Sequence, residues 1–289
     1  MNSRISCPVC ASRRLASELT KFKLAMLRCR ACGLVFTAPQ PPPAQVISRY
    51  AEQWFEREYL PSYGIDPQQP ALEHLAPRFA LDLALIKRFR SSGRVLDVGA
   101  GAGLFLFHAR RHGWHAHGVE ISEYGPAYAK RHFDLDIIQG DLRSAEFPDQ
   151  HFDVVMLQDT IEHVPDPLAL MKEIHRILRP GGGVVLSTPN YESAARRMFR
   201  RHWALISPAE HLFLFNMTSL LCLLQRSRFA PFRLESNAEL HENLFHPAHA
   251  LPPLSWRSAL LGRVKRVLPP AAIHRLSLGS ELHAVGVRQ

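Results

Sequence analysis

The chain has 289 residues, of which 46% are hydrophobic, and its formal net charge is +9 at pH 7. This length predicts one large domain with a smaller one beside it, and the apolar fraction is ample for a buried core. No run of about 18 apolar residues occurs, which excludes a helical membrane span. The first residues also lack the apolar stretch of a signal peptide, so we expect a cytoplasmic protein. The positive charge indicates either affinity for phosphates, RNA or an anionic membrane surface, or simply many solvated arginines.

Four of the five cysteines lie near the N-terminus, in two Cys-x-x-Cys pairs. Each pair places two thiolates on one tight turn, so two pairs predict a closed tetrahedral zinc site with no open position for a substrate. We therefore expect a structural zinc ion that supplies folding energy to a small lobe, residues 1–38. A redox pair or a chance arrangement of cysteines is the alternative. The predicted zinc ligands are Cys7, Cys10, Cys29 and Cys32.

A proline-rich stretch at residues 39–43 predicts a stiff, extended linker after this lobe. Residues 46–63 then combine five aromatic side chains with charges of both signs, at a spacing that is helical in places. One interpretation is that these aromatic side chains dock the lobe onto the main domain. Residues 71–90 predict a helix that leads into the main domain.

Residues 95–105 predict a buried strand that runs into a glycine turn and then into a helix. The three glycines remove every Cβ from the turn, so a ligand can approach the backbone and positive φ costs little. The helix N-terminus points its N–H groups at the turn, as in nucleotide-binding α/β folds. The spacing is G-x-G-x-G rather than G-x-G-x-x-G, and the carboxylate of Asp97 favours a positively charged ligand over a pyrophosphate. Glu120 ends the next apolar run, where a carboxylate bonds ribose hydroxyls.

Strands and helices alternate from residue 94 onward, which predicts a doubly wound α/β fold with a parallel sheet and right-handed crossovers. The predicted strands lie near residues 94–98, 116–120, 135–139, 152–157, 184–188, 231–240 and 282–288. The predicted helices lie near residues 103–112, 123–132, 167–178 and 217–228.

Residues 241–281 are predicted to be an insertion between the last two strands. Within it, residues 254–268 carry apolar side chains at helical spacing with basic side chains among them. Such a helix either contacts an anionic membrane surface peripherally or packs its apolar face on its own protein, and the sequence leaves both interpretations open.

The glycine turn with its two carboxylates resembles the cofactor-binding motif of class I S-adenosylmethionine (SAM)-dependent methyltransferases. The likeness is greatest to the ubiquinone-type O-methyltransferases, and it continues in residues 140–142, 152–159, 161–167 and 178–190. It implies a Rossmann-like seven-stranded sheet with an antiparallel seventh strand, preceded here by a small zinc ribbon. It further implies a SAM-binding domain at residues 93–289 and a helical lid over the ligand within residues 39–92.

The resemblance also implies a role for each matched residue in binding SAM. Asp97 and the glycine turn would hold the amino-acid end, and Glu120 would accept hydrogen bonds from both ribose hydroxyls. The next residue would pack on the adenine, the turn after the third strand would contact the adenine edge, and the end of the fourth strand would face the methionine part. The predicted cofactor-binding residues are Asp97, Gly99, Gly101, Gly103, Glu120, Ile121, Asp141, Leu142, Gln158 and Asp159.

Methyl transfer from a sulfonium is an in-line displacement that needs no covalent intermediate, and positioning can lower its barrier by roughly 7–11 kcal/mol. A hydroxyl acceptor must also lose a proton to a positioned base. His163, just past the fourth strand, and His211, in a sequence that matches a family motif, are the candidate catalytic residues. Because the chain has 16 histidines, a hydrogen-bonded structural role is the alternative for each.

The main prediction is a SAM-dependent methyltransferase that acts on a small-molecule, sugar-linked or lipid-linked acceptor. A four-cysteine lobe before this domain also resembles sugar C-methyltransferases of deoxysugar pathways, although those enzymes carry a further C-terminal domain without a counterpart here. Two alternatives stay open. One is a ribosomal-RNA base methyltransferase, which the positive charge would suit, and the other is a non-catalytic SAM-binding or zinc-ribbon adaptor.

Overall fold

A computed structural model describes residues 5–237 and 277–289 of the chain. The strands of these residues are β1 (Leu15–Lys21), β2 (Leu24–Cys29), β3 (Val35–Thr37), β4 (Arg94–Val98), β5 (His115–Glu120), β6 (Ile137–Gln139), β7 (Phe152–Gln158), β8 (Leu178–Pro189), β9 (Phe213–Leu214), β10 (Phe229–Asn237) and β11 (Glu281–Arg288). The helices are α1 (Pro43–Ile47), α2 (Glu52–Trp54), α3 (Leu60–Ser62), α4 (Ala76–Ile86), α5 (Leu104–Arg111), α6 (Tyr124–Phe133), α7 (Pro167–Ile177), α8 (Ala194–Phe199) and α9 (Met217–Arg226).

The main sheet has seven strands in the order β10-β11-β8-β7-β4-β5-β6. The strands β4 to β8 run parallel, whereas β11 is antiparallel to both of its neighbours. In the central strand β4, Val95, Leu96 and Val98 are buried, as their apolar side chains require between two helical layers. The predicted Rossmann-like fold with an antiparallel last strand is confirmed.

Two predicted elements have different lengths in the structure. The helix expected over residues 71–90 is confined to α4, with a 3-10 turn, Glu73–Leu75, before it. The fifth strand, expected near residues 184–188, is longer in the structure because the sequence Pro-Gly-Gly before it continues as extended chain in β8. A register shift opposite Phe152 and the left-handed backbone of Gly181 (φ +74°) accommodate it.

The smaller sheet joins the N-terminal lobe to the main domain. Strands β1, β2 and β3 come from the lobe, and β9, which lies between α8 and α9 in the sequence, adds a fourth strand antiparallel to β3. Lobe residues such as Leu34 and Phe36 share one apolar cluster with Phe213 and Phe215. The predicted boundary at residue 38 stays a prediction, but the lobe and the main domain share one sheet and one core.

The predicted insertion, including the basic helix at residues 254–268, lies outside the described residues except for residues 277–281. Among the residues that the structure describes, no helix combines the length and apolar character needed to cross a bilayer.

Candidate active site

The glycine turn lies at the carboxyl end of β4 and has the backbone that its sequence predicts. Gly99 and Gly101 both have left-handed backbone, with φ of +79° and +52°. A Cβ on Gly99 would lie 2.4 Å from Thr160 Oγ1, and one on Gly101 would lie 2.2 Å from the Tyr59 hydroxyl oxygen. Space and conformation therefore both require glycine at these two positions.

Gly103 is also left-handed, but it does not line the cavity beside the turn. It precedes α5, and a Cβ there would lie 3.0 Å from the side chains of Leu135 and Ile137. The position therefore allows close packing at the start of α5, and the structure places Gly103 outside the cavity lining.

Two carboxylates flank the turn, one from each adjacent strand. Asp97, in β4, is 6% exposed, and burial, together with the nearby carboxylates of Asp82 and Glu120, raises its pKa to about 8. Glu120, at the end of β5, accepts hydrogen bonds from Gly101 N (2.9 Å) and Ser122 N (2.8 Å). Burial raises the pKa of Glu120 as well. A site that holds two buried acids favours a ligand with positive charge and hydroxyl donors.

A cavity of about 1540 Å³ opens at this edge of the sheet. It is lined by nine of the ten predicted cofactor-binding residues and by both candidate catalytic histidines. The predicted residues that line it are Asp97, Gly99, Gly101, Glu120, Ile121, Asp141, Leu142, Gln158, Asp159, His163 and His211.

The aromatic segment between residues 46 and 63 forms another wall of the cavity. All five aromatic side chains line it: Tyr50, Trp54, Phe55, Tyr59 and Tyr63. A π-helical turn, Phe55–Tyr59, joins α2 to α3. It brings the Tyr59 hydroxyl to the glycine turn, where it accepts a hydrogen bond from Ala102 N (3.2 Å). Sequence reasoning missed this contact, because nothing local indicates which of the five aromatic side chains meets the turn.

The side chains predicted to contact adenine lie along the same edge. Ile121 is 37% exposed, which leaves its apolar face free to pack on a ring. Asp141 Oδ1 accepts from Ser144 N (2.8 Å), and this hydrogen bond orders the turn that follows β6. Gly140 N donates to the main-chain oxygen of Glu120 (2.8 Å), so the residue before Asp141 is hydrogen bonded to the predicted ribose-binding residue.

Glu162, His163 and His211 form a compact cluster in the wall of the same cavity. Their candidate ligand atoms all lie within 4.8 Å of one another, and the two imidazole centroids are 4.7 Å apart. Thr188 Oγ1 donates to Glu162 Oε2 (2.9 Å). Burial raises the pKa of Glu162 well above its usual value, and burial together with His211 lowers the pKa of His163 to about 3. One carboxylate and two imidazoles are also a donor set that takes a divalent cation.

The four N-terminal cysteines converge as predicted. Cys7 Sγ lies 3.7 Å from Cys32 Sγ, and Cys10 Sγ lies 3.5 Å from Cys29 Sγ. All four thiols are free, and their sulfur atoms lie within 4.8 Å of one another. Tetrahedral coordination with Zn–S bonds of about 2.3 Å would place sulfurs about 3.8 Å apart. The cluster therefore has dimensions compatible with a zinc ribbon.

Gly125, in α6, is a further residue that sequence reasoning missed. A Cβ there would lie 2.4 Å from the main-chain oxygen of Gly101. We expect Gly125→Ala to force α6 and the glycine turn apart and to lower the unfolding free energy by about 1–3 kcal/mol. Chemical denaturation measures this loss, and a value within about 0.5 kcal/mol of wild type would contradict the close approach.

Comparisons with known proteins agree with this architecture. A curated relative, the ubiquinone biosynthesis O-methyltransferase of Pseudomonas aeruginosa (strain UCBPP-PA14), is 31% identical over 149 residues. The match spans 48% of this chain and 59% of that relative, so the chain covers less than two thirds of the relative's length.

Two solved structures share the fold. A SAM-dependent methyltransferase from Archaeoglobus fulgidus has a TM-score of 0.52 at 18% identity, covering 75% of this chain and 95% of that one. The PH0226 protein from Pyrococcus horikoshii OT3 has a TM-score of 0.53 at 19% identity, covering 83% and 99%. Residues 68–231, more than half of the chain, match the family described as "Methyltransferase domain". The chain therefore belongs to this methyltransferase family and has the class I, Rossmann-like fold.

Proposed function

We propose that this protein transfers a methyl group from SAM to a small-molecule, sugar-linked or lipid-linked acceptor. One observation carries the proposal: a single cavity brings together the glycine turn, two buried carboxylates and a pair of histidines. Methyl transfer requires donor and acceptor to meet in line, and a common cavity provides the place for that alignment. The relative named as an O-methyltransferase further supports a small-molecule acceptor.

The cofactor would lie along the edge formed by β4, β5 and β6. Asp97 would face the positively charged amino-acid end, and each Glu120 oxygen, beyond its backbone partner, retains a lone pair for a ribose hydroxyl. Ile121 would cover one adenine face, while Asp141 and Leu142 would meet the adenine edge. Gln158 and Asp159, at the end of β7, would border the methionine part. The cofactor itself supplies a methyl group already activated by its sulfonium.

The acceptor would lie between the turn and the two histidines. His163 is neutral at physiological pH because its pKa is low, so it would accept a hydrogen bond and orient the acceptor hydroxyl. We assign removal of the proton to His211, whose ring lies 4.7 Å away. The five aromatic side chains of the segment above would act as the lid that excludes water.

We also propose that the four-cysteine cluster holds a structural zinc ion. Its sulfur distances suit tetrahedral coordination, and three of its four cysteines are buried. A site closed by four thiolates has no position for a substrate, so its contribution would be to folding.

Calorimetric titration with S-adenosylhomocysteine tests the cofactor site without knowledge of the acceptor. We expect wild type to bind and Glu120→Ala to bind about 10- to 150-fold more weakly, the cost of losing hydrogen bonds to a charged group. Glu123→Ala is the matched control, because Glu123 is exposed three residues further on. Absence of binding by well-folded wild type would refute the proposed function, and equal loss in both variants would refute the role of Glu120.

A further inference from the structure

The turn formed by residues 205–211 contacts the N-terminal lobe, carries His211 and contacts the ring of His163. It is compact, since Glu210 N and His211 N both donate to Ser207 O, at 2.9 Å and 2.7 Å. Four other carbonyl groups of the turn accept hydrogen bonds, two from side chains of the lobe and two from the histidine rings. Because the same turn bonds to the lobe and to the histidine rings, it connects the lobe to the candidate active site.

On one side, the lobe holds the turn through side chains and through strand pairing. Lys21 Nζ donates to Ile206 O (2.6 Å), and Thr37 Oγ1 donates to Pro208 O (2.9 Å). Thr37 is fully buried, and its backbone N–H also donates to Leu212 O (2.9 Å). The pairing of β3 with β9 continues this contact beyond the turn.

On the other side, the turn holds the histidine rings. His211 Nδ1 lies 2.7 Å from Leu205 O, and His163 Nδ1 lies 3.0 Å from Glu210 O. A carbonyl oxygen only accepts, so each Nδ1 must carry the proton. Each Nε2 is then left as an acceptor, which is the tautomer that a proton-accepting or hydroxyl-orienting histidine needs.

We infer that Thr37 and Lys21 are positioning residues that hold His163 and His211 in the Nε2-accepting tautomer through the 205–211 turn. The lobe thus contributes to the acceptor site without lining the cavity. The inference rests on the proposed function only in assigning the histidines to the acceptor side. The tautomer itself is a property of the protein alone.

The test is nitrogen NMR of ¹⁵N-histidine-labelled protein, with the two rings identified by His163→Gln and His211→Gln. Thr37→Val removes the hydroxyl at constant shape, and Lys21→Met removes the ammonium while keeping the stem. Either change is expected to shift the tautomer ratio of His211 or His163 about five-fold toward Nε2–H, as loss of one ordinary hydrogen bond would. Thr37→Ser, which keeps a hydroxyl, is expected to restore the wild-type ratio.

Tyr191→Phe is the matched control, because the hydroxyl that it removes bonds to Glu18 of the lobe and to Arg196, both of which lie outside the turn. In this variant, the nitrogen signals of the His163 and His211 rings are expected to match those of wild type. Wild-type signals in folded Thr37→Val and Lys21→Met would overturn the inference, and so would an equal shift in Tyr191→Phe. Titration of the same samples with S-adenosylhomocysteine reports separately on the proposed function, so the two failures are distinguishable.

Discussion

Cys29→Ser is expected to lose the zinc ion and to unfold the N-terminal lobe. Structural zinc sites contribute apparent binding free energies of roughly 10–16 kcal/mol, whereas a whole domain is stable by only about 5–15 kcal/mol. Removal of one thiolate therefore costs more free energy of folding than the other interactions of the lobe can offset. Metal analysis should fall from about one zinc per chain to almost none.

The loss should spread into the main domain, because the cysteine cluster is not isolated. Cys7, Cys29 and Cys32 belong to the same apolar cluster as Phe213 and Phe215, which follow the candidate histidine His211. Unfolding of the lobe would expose these phenylalanines and release β9 from β3. We therefore expect a lower melting temperature of the main transition as well as a separate loss of lobe structure.

Cys222→Ser provides the matched control for this prediction. Cys222 lies in α9, is partly buried and packs against the same apolar cluster, but it is not one of the four cysteines whose sulfur atoms converge. The same chemical change there should leave the zinc content unchanged and the unfolding free energy within about 1 kcal/mol of wild type. Wild-type stability of Cys29→Ser, or of chelator-treated protein, would contradict a structural metal.

Sequence reasoning succeeded where a local pattern determines the outcome. Residues 95–105 carry strand, turn and helix signals in immediate succession, so both the strand β4 and the left-handed glycines were predictable. The cysteine pairs were predictable for the same reason, because ligand spacing is a property of short segments. Nine of the predicted cofactor-binding residues line one cavity, because parallel pairing aligns the strand ends at one edge of the sheet.

The contacts that were not predictable join segments distant in sequence. Strand β9 has only two residues and becomes a strand only because β3 offers it a free edge. The approach of Gly125 to Gly101 and the hydrogen bond of Tyr59 to the glycine turn depend on tertiary packing. Propensity and periodicity carry no information on such approaches, so the contacts among the lobe, the aromatic segment and the cavity required the structure.

Asp97→Asn is expected to weaken binding of S-adenosylhomocysteine by at least about 30-fold. The proposed partner of Asp97 is the ligand's ammonium group, and removing one member of a buried charge pair costs at least about 2 kcal/mol. Asp136→Asn is the matched control, since it makes the same charge change at a side chain that is 87% exposed. The control should bind like wild type.

The same variant should change how the stability of the ligand-free protein depends on pH. The pKa of Asp97 is about 8 when folded and about 3.9 in an unfolded chain. Between these values the folded state binds more protons than the unfolded state, so the unfolding free energy falls as pH rises and levels off above pH 8. The amide that replaces the carboxyl group cannot ionise, so above pH 8 the variant should melt at least about 3 °C higher than wild type.

Folding raises the pKa of Asp97, whereas ligand binding is expected to lower it. An ammonium group beside Asp97 favours the ionised carboxylate, so binding near pH 7 should release a proton, and wild-type affinity should rise with pH until about 8. Titrations in two buffers of different ionisation enthalpy measure the proton released. Release by wild type but not by Asp97→Asn would identify Asp97 as the carboxylate that meets the ammonium. Equal release by both proteins would assign the proton to another acidic side chain. The candidates are Asp82 and Glu120, the two carboxylates that interact electrostatically with Asp97.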